Sequence, residues 1–202
     1  MPSFSLGFGG ADFSSVAQLP GLSMLLQGLS TPLQPGGIGS LLSNLGIIAW
    51  FQGDFAEARR LYDESLAMRR ELGDRWAIGN SLNNLGLVVR DLGNVAEARR
   101  LLEECLAINR EIGDLPSIAN ALGSLADIAL SQGDFEGARG FLGENTLLNR
   151  DLGDRNGLAF SLELFAQWFA GRSGAASAFR LAGAAGALRE AIGARLSPSM
   201  TW

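Results

Sequence analysis

The sequence has no histidine, and all 16 of its cationic side chains are arginines, so lysine is absent as well. Those absences remove the side chain that titrates near neutral pH, the amine that forms Schiff bases and the commonest metal ligand. Most acid–base, amine and metal-dependent catalysis is excluded, and the chain is expected to be no enzyme and to carry no cofactor. Cysteine is nearly absent too. The lone Cys105 can close no internal disulfide and cannot by itself build a zinc site, so a reducing, cytoplasmic setting is expected. Charge is sparse, at 18% of residues and a net −5, with an isoelectric point of about 4.8. This surface lacks the positive excess that binding to a phosphate backbone requires, and no nucleic-acid partner is expected. Long apolar runs are missing as well: none approaches the roughly 18 residues of a membrane span. No Lys or Arg precedes the first apolar stretch, as a secretory signal would require.

What the sequence does have is internal repetition. Its 202 residues, 47% of them apolar, suffice for a core, and the chain aligns with itself at a spacing of 40 residues. Blocks begin at Leu41, Ser81, Ala121 and Ser161. The first two share about half their positions, among them Asn44-Leu45-Gly46 with Asn84-Leu85-Gly86 and Ala56-Glu57-Ala58-Arg59-Arg60 with Ala96-Glu97-Ala98-Arg99-Arg100. Each block holds two stretches of helical spacing, for example Ile78, Leu82, Leu85, Val89 and then Ala98, Leu101, Leu102, Cys105, Ile108.

The punctuation agrees with helix pairs. Gly53-Asp54, Gly93-Asn94 and Gly133-Asp134 fall inside blocks, and Gly73-Asp74, Gly113-Asp114 and Gly153-Asp154 between them. Glycine ends a helix in the left-handed region, and the following Asp or Asn accepts from free amides of the next. Every turn is predicted to be two residues long. Glu57 and Glu97, three residues beyond their caps, predict capping boxes. A helix pair of this size cannot bury its apolar faces alone, so neighbours must stack. The predicted fold is all-α, a right-handed helical-hairpin solenoid of four helix pairs. Small residues, Gly46, Gly86 and Ala126 in first helices and Ala58, Ala98, Ala138 and Ala178 in second helices, let them approach closely.

The ends break the pattern. Residues 1–38 form an apolar arm rich in Gly, Ser and Pro, with a linker at 31–39 and a short helix expected at 14–29, for which three readings stand open: a cap on the first pair, an occupant of the groove, or a poorly ordered arm. The repeats occupy 39–196 as units 41–80, 81–120, 121–160 and 161–196, the last rich in Ala and Gly, and a tail covers 197–202. Uncapped terminal repeats predict a tendency to self-associate.

The Leu-Gly pairs at 45-46 and 85-86, the glycines at 53, 93 and 133, the alanine series and the large residues Tyr62, Leu102 and Leu142 together resemble tetratricopeptide repeats. The 40-residue period resembles the long-helix variant of kinesin light chains and of bacterial signal-transducing ATPases and LuxR-type regulators. Arg70-Glu71-Leu72-Gly73-Asp74-Arg75 is similar to the C-terminal arrays of those regulators, which implies a bacterial, cytoplasmic protein of signal transduction. With neither a phosphate-binding loop nor a DNA-reading motif, the resemblance carries over no ATPase or DNA-binding activity.

The family's concave groove is lined by first helices. Matching positions in the first block are Ser43, Asn44, Ile47, Trp50 and Phe51; in the second, Asn80, Asn83, Asn84, Leu87, Arg90 and Asp91. The third block supplies Asn120, Ser124, Asp127 and Ser131, and the fourth Phe160, Glu163 and Gln167. Rows of amides and hydroxyls suit an extended peptide, whose backbone needs both donors and acceptors. Asn44 and Asn84 have a competing structural reading, as bridges between neighbouring helices. Arg90 is the one cation in this set, so a clamp for terminal carboxylates is missing. The function implied is a protein-interaction scaffold holding a peptide or helix. The competing reading is an effector-sensing fragment of a bacterial transcriptional regulator.

Overall fold

The computed structural model describes residues 35–172 and 174–193. The short helix predicted at 14–29 and the tail at 197–202 lie outside the described residues. Among the described residues there are eight helices: α1 (Pro35–Phe51), α2 (Phe55–Leu72), α3 (Arg75–Asp91), α4 (Val95–Ile112), α5 (Leu115–Ser131), α6 (Phe135–Leu152), α7 (Arg155–Ala170) and α8 (Ala175–Ala191). They pair as hairpins in chain order, and the second helix of each hairpin packs on the first helix of the next. The architecture is a helical-hairpin solenoid.

The turns work largely as their residues predict. Gly73, Gly113 and Gly153 sit at φ of 70°, 74° and 68° and end α2, α4 and α6. The following Asp74, Asp114 and Asp154 accept from the amides of Ala77, Ser117 and Gly157 at 3.0, 3.3 and 3.0 Å. Two details differ from expectation. Turns inside α1–α2, α3–α4 and α5–α6 have three residues, because Gln52, Leu92 and Gln132 fall outside the helices. The reciprocal capping-box bond also fails to form. The backbone amides of Asp54 and Asn94 already donate to Ala49 and Val89 of the preceding helix, at 2.9 and 3.0 Å. Glu57 is therefore left to pair with Arg60, and Glu97 bonds the Asn94 side chain. The segment 31–39 is no plain linker either: from Pro35 it belongs to α1, and proline in a first helical turn forfeits no hydrogen bond.

Small residues face large ones across each hairpin. A Cβ on Gly86 would lie 2.9 Å from Leu102 Cγ, and one on Gly46 would lie 3.0 Å from the Tyr62 ring. Ala58, Ala98 and Ala138 are fully buried. One core cluster runs from Ala49 to Ile128, and a second, of Ala126, Leu142 and Leu164, reaches the last hairpin, with the partly buried Phe141 packed against both. Full burial of each such leucine stabilises by about 1.5–3 kcal/mol. Polar rungs recur within it. Ser65 donates to the carbonyl of Gly39 at 2.7 Å, Cys105 to that of Gly79 at 3.3 Å, and Asn145 to that of Ala119 at 2.7 Å. The fourth equivalent is Ala185, which is α8's only buried residue and can offer no such bond.

Candidate functional site

Two observations identify the inner wall of the stack. First helices touch across repeats, α3 with α5 and α5 with α7. Second helices are instead spanned by long side chains: Arg59 reaches Glu97 at 2.8 Å, Arg70 reaches Glu104 at 2.6 Å and Arg110 reaches Glu144 at 2.7 Å. The wall with the closer backbone approach is the inner one, formed by α1, α3, α5 and α7.

A cleft of about 170 Å³ opens on this wall where α3, α5 and α7 meet over α6. Asn83, Leu87, Asn120 and Ser124 line it, as their register predicts, with Phe160 as one side. Its floor comes from residues that register alone misses: Gly123, and Asn145 and Asn149 of α6. Both of those asparagines are at most 3% exposed. Their amides meet Ser161, which accepts from Asn149 Nδ2 at 3.2 Å and lies 2.6 Å from Asn145 Oδ1.

The cleft exists because the repeat is broken here. Aligned positions 43, 83, 123 and 163 hold Ser, Asn, Gly and Glu, and only the third has no side chain. A Cβ on Gly123 would press to 3.2 Å from Phe160 and 3.3 Å from Asn145 Nδ2, so the glycine keeps the cavity open. The signal stands in the repeat register: Asn145 and Asn149 fall where the second repeat has Cys105 and Asn109 and the first has Ser65 and Arg69.

Beside it, across Leu87, lies an apolar cleft of about 90 Å³ lined by Ile47, Trp50, Tyr62, Asn84, Leu87 and Val88. Asn44, Asn80 and Gln167 are half-buried on the first helices but line neither cleft. Asn44 and Asn84 make no side-chain hydrogen bond among the described residues, and so bridge no helices there. Phe51 is 78% exposed at the end of α1, and Ser131 turns its hydroxyl back to the carbonyl of Ile128 at 2.7 Å.

Two predicted groove residues are corrected. Ser43 is buried, with its hydroxyl 2.8 Å from that of Ser65. Glu163 is buried and bound twice by Arg189, at 2.5 and 2.7 Å. Both point into the helix interface and have partners inside it.

Electrostatics along the wall are set by one small network. Arg90 bonds Asp91 at 2.9 Å and Asp127 at 3.0 Å, and Trp50 donates to Asp91 at 2.7 Å. The guanidinium is thus shared by two carboxylates, and among the described residues no free positive charge faces the clefts. Burial pushes the Asp127 carboxyl above its ordinary range, Arg90 opposes that, and Asp91 adds to it. Among the described residues the cleft itself is lined by no ionisable side chain. Cys105 lies elsewhere, fully buried in the core, with its thiol pushed up to about 12 chiefly by burial. Among the described residues no three His, Cys, Asp or Glu side chains gather as metal ligands, and no helix is long and apolar enough to cross a membrane.

A stack of helical hairpins with uncharged amides along its inner wall is a helical-repeat scaffold. Residues 37–111 and 77–144 match the tetratricopeptide repeat family, and the chain belongs to that family. No curated protein matches the sequence. Among solved structures, BtubC (BKLC) from P. vanneervenii is similar at 16% identity and a TM-score of 0.70, over 93% of this chain and 78% of that one. A Rap protein complexed with Competence and Sporulation Factor is similar at 14% identity and a TM-score of 0.73, over 84% of this chain and 48% of that one. A putative kinesin light chain with nearly identical TPR-like repeats, from Podosopora anserina, shares 20% identity over 83% of this chain and 82% of that one, at a TM-score of 0.64. At these identities the likeness concerns the fold.

Proposed function

We propose that this chain is a protein-interaction scaffold that holds an extended peptide segment along its inner wall. The observation that carries the reading is the run of uncharged polar groups, Asn83, Asn84, Asn120 and Ser124, set between the apolar surfaces of Trp50, Leu87 and Phe160. An extended segment has a donor and an acceptor in every residue, and asparagine meets both with one group. The apolar surfaces supply the burial that hydrogen bonds exchanged with water do not. Shape supports a peptide over a small effector. Sites that enclose a small molecule usually measure about 300–1,000 Å³, whereas these clefts of about 170 and 90 Å³ suit single side chains. The Rap protein whose structure contains Competence and Sporulation Factor has the same fold, which supports ligand binding as a task this architecture can perform. With Arg90 shared between two carboxylates, the ligand is neutral or basic where it passes α3 and α5.

The test is a peptide-display selection on the purified chain, with the Asn84→Ala, Asn120→Ala double variant as counter-screen. Peptides that enrich on the native wall and not on the variant are the expected result. Peptides that bind both equally, or a folded protein that enriches none, would refute the reading.

A further inference from the structure

Resting on that reading, we infer that the cleft walled by Asn83 and Phe160 is a specificity pocket for a primary-amide side chain, a glutamine or asparagine of the bound peptide. Three classes of occupant can be separated by what the lining offers. A charged side chain would lose its water and find no counter-ion, since no ionisable group among the described residues lines the cleft, and an unpaired buried charge is strongly disfavoured. An aliphatic side chain would fill the volume but leave polar groups of the wall desolvated. The deciding side chain is Asn83: its Oδ1 is covered by the chain and has no hydrogen-bond partner, as has Asn109 Oδ1 in the core, but only Asn83 lines the cleft, and turning its amide into the cleft to meet a donor gives up no bond. A buried acceptor without a donor is an anomaly in a folded protein and asks for a partner. Capping it with a methyl group would fix that penalty in the complex, whereas an N–H donor removes it.

A primary amide carries two donors and a carbonyl acceptor in one planar group. It can donate to Asn83 while its remaining donor and its carbonyl meet Asn120 and Ser124 on α5, and its methylene stem lies against Leu87 and the Phe160 ring. The floor is fixed and cannot adapt to another occupant. Asn145 is tied to the carbonyl of Ala119 at 2.7 Å and Asn149 to Ser161 at 3.2 Å, so these amides cannot swing out to meet a carboxylate. A volume of about 170 Å³ admits one such side chain. The adjoining apolar cleft across Leu87 takes a neighbouring small apolar side chain. Packed helices are about 8–10 Å apart, and a strand advances about 3.3 Å per residue. The two anchors therefore fall two or three positions apart in the ligand.

The test uses the full chain and a positional-scanning library of hexapeptides, read by affinity capture. Glutamine or asparagine should dominate at one position, with a small apolar residue two or three positions away. In the strongest synthetic peptide, exchanging the amide for leucine should weaken Kd at least tenfold. On an Asn83→Leu variant, shown folded by circular dichroism, the same exchange should change Kd less than threefold, while the apolar preference persists. Capture of peptides with a charged or aliphatic residue at the amide position would overturn the pocket and leave the scaffold reading standing, as would an unaltered amide preference on Asn83→Leu. Capture of no hexapeptide by the folded chain would overturn both.

Discussion

Gly86→Ala should destabilise the fold although alanine is the better helix former, and the magnitude follows from the packing between α3 and α4. Replacing a glycine in mid-helix by alanine is worth about 0.5–1 kcal/mol where there is room. Gly143, in the middle of α6, has that room: nothing lies within 4 Å of its added Cβ. At Gly86 the same Cβ meets Leu102 Cγ at 2.9 Å and Cδ2 at 3.1 Å, and Leu102 is fully buried with nowhere to retreat. Overpacking of this kind costs about 1–3 kcal/mol. The helix-propensity gain is common to both sites and cancels between them. Gly143→Ala should therefore be more stable than Gly86→Ala by the overpacking term alone, about 1–3 kcal/mol. Urea unfolding followed by circular dichroism reads both variants, with an unchanged m-value as the check that the native and unfolded states are comparable. A third variant supplies the mechanism. Leu102→Ala removes Cγ and both δ carbons, and in that background Gly86→Ala should become neutral or stabilising, a coupling that a double-mutant cycle measures directly. If Gly86→Ala and Gly143→Ala move the urea midpoint in the same direction by the same amount, close approach at Gly86 is not what holds this hairpin together.

Further outcomes follow from other parts of the stack. Leu122→Ala, at a fully buried position, should cost about 2–5 kcal/mol, whereas Arg110→Ala, which breaks a half-exposed pair with Glu144, should cost under about 1 kcal/mol in the same urea assay. Cys105, with its thiol pushed up to about 12, should resist a thiol-reactive dye at pH 8 and react at once in denaturant; rapid native labelling would contradict its burial. Asp127 has a folded-state pKa above its unfolded value, so the native state holds its proton to higher pH and stability falls as pH rises through the window just above the ordinary carboxylate value. Asp127→Asn should flatten that segment of the stability–pH curve, with Arg90 still held by Asp91; an unchanged slope would show that burial does not govern the carboxyl.

The helices, their pairing and the identity of the turns were legible because each signal is written three or more times, and a register confirmed at Gly73, Gly113 and Gly153 is hard to misplace. The capping boxes misled for a definite reason: the amide that Glu57 or Glu97 was to satisfy is consumed by the preceding helix, a contact that depends on turn length and not on the local motif. Among the groove residues, register located the wall but not the direction of each side chain. Ser43 and Glu163 share a register position with Asn83, yet the first is short enough to hide against Ser65 and the second is drawn inward by Arg189, 26 residues later in the chain. Nothing in either local sequence announces those partners.

The floor of the cleft carries the same lesson further. A repeat protein built from identical units would offer the same surface at every step, and its inner wall would be sequence-blind along its length. Here the third unit omits a side chain at Gly123 and places Asn145 where its neighbours have Ser65, Cys105 and Ala185. The omission opens space and the asparagine makes that space polar without making it charged. Mid-helix glycine carries a cost of about 0.5–1 kcal/mol relative to alanine, and burying amides gains little unless all their bonds are met. Both concessions coincide beside an acceptor on Asn83 that has no partner, which is what the proposed pocket requires. On the proposed reading, the departures from the repeat, and not the repeat, are therefore the part of this molecule that selects a ligand.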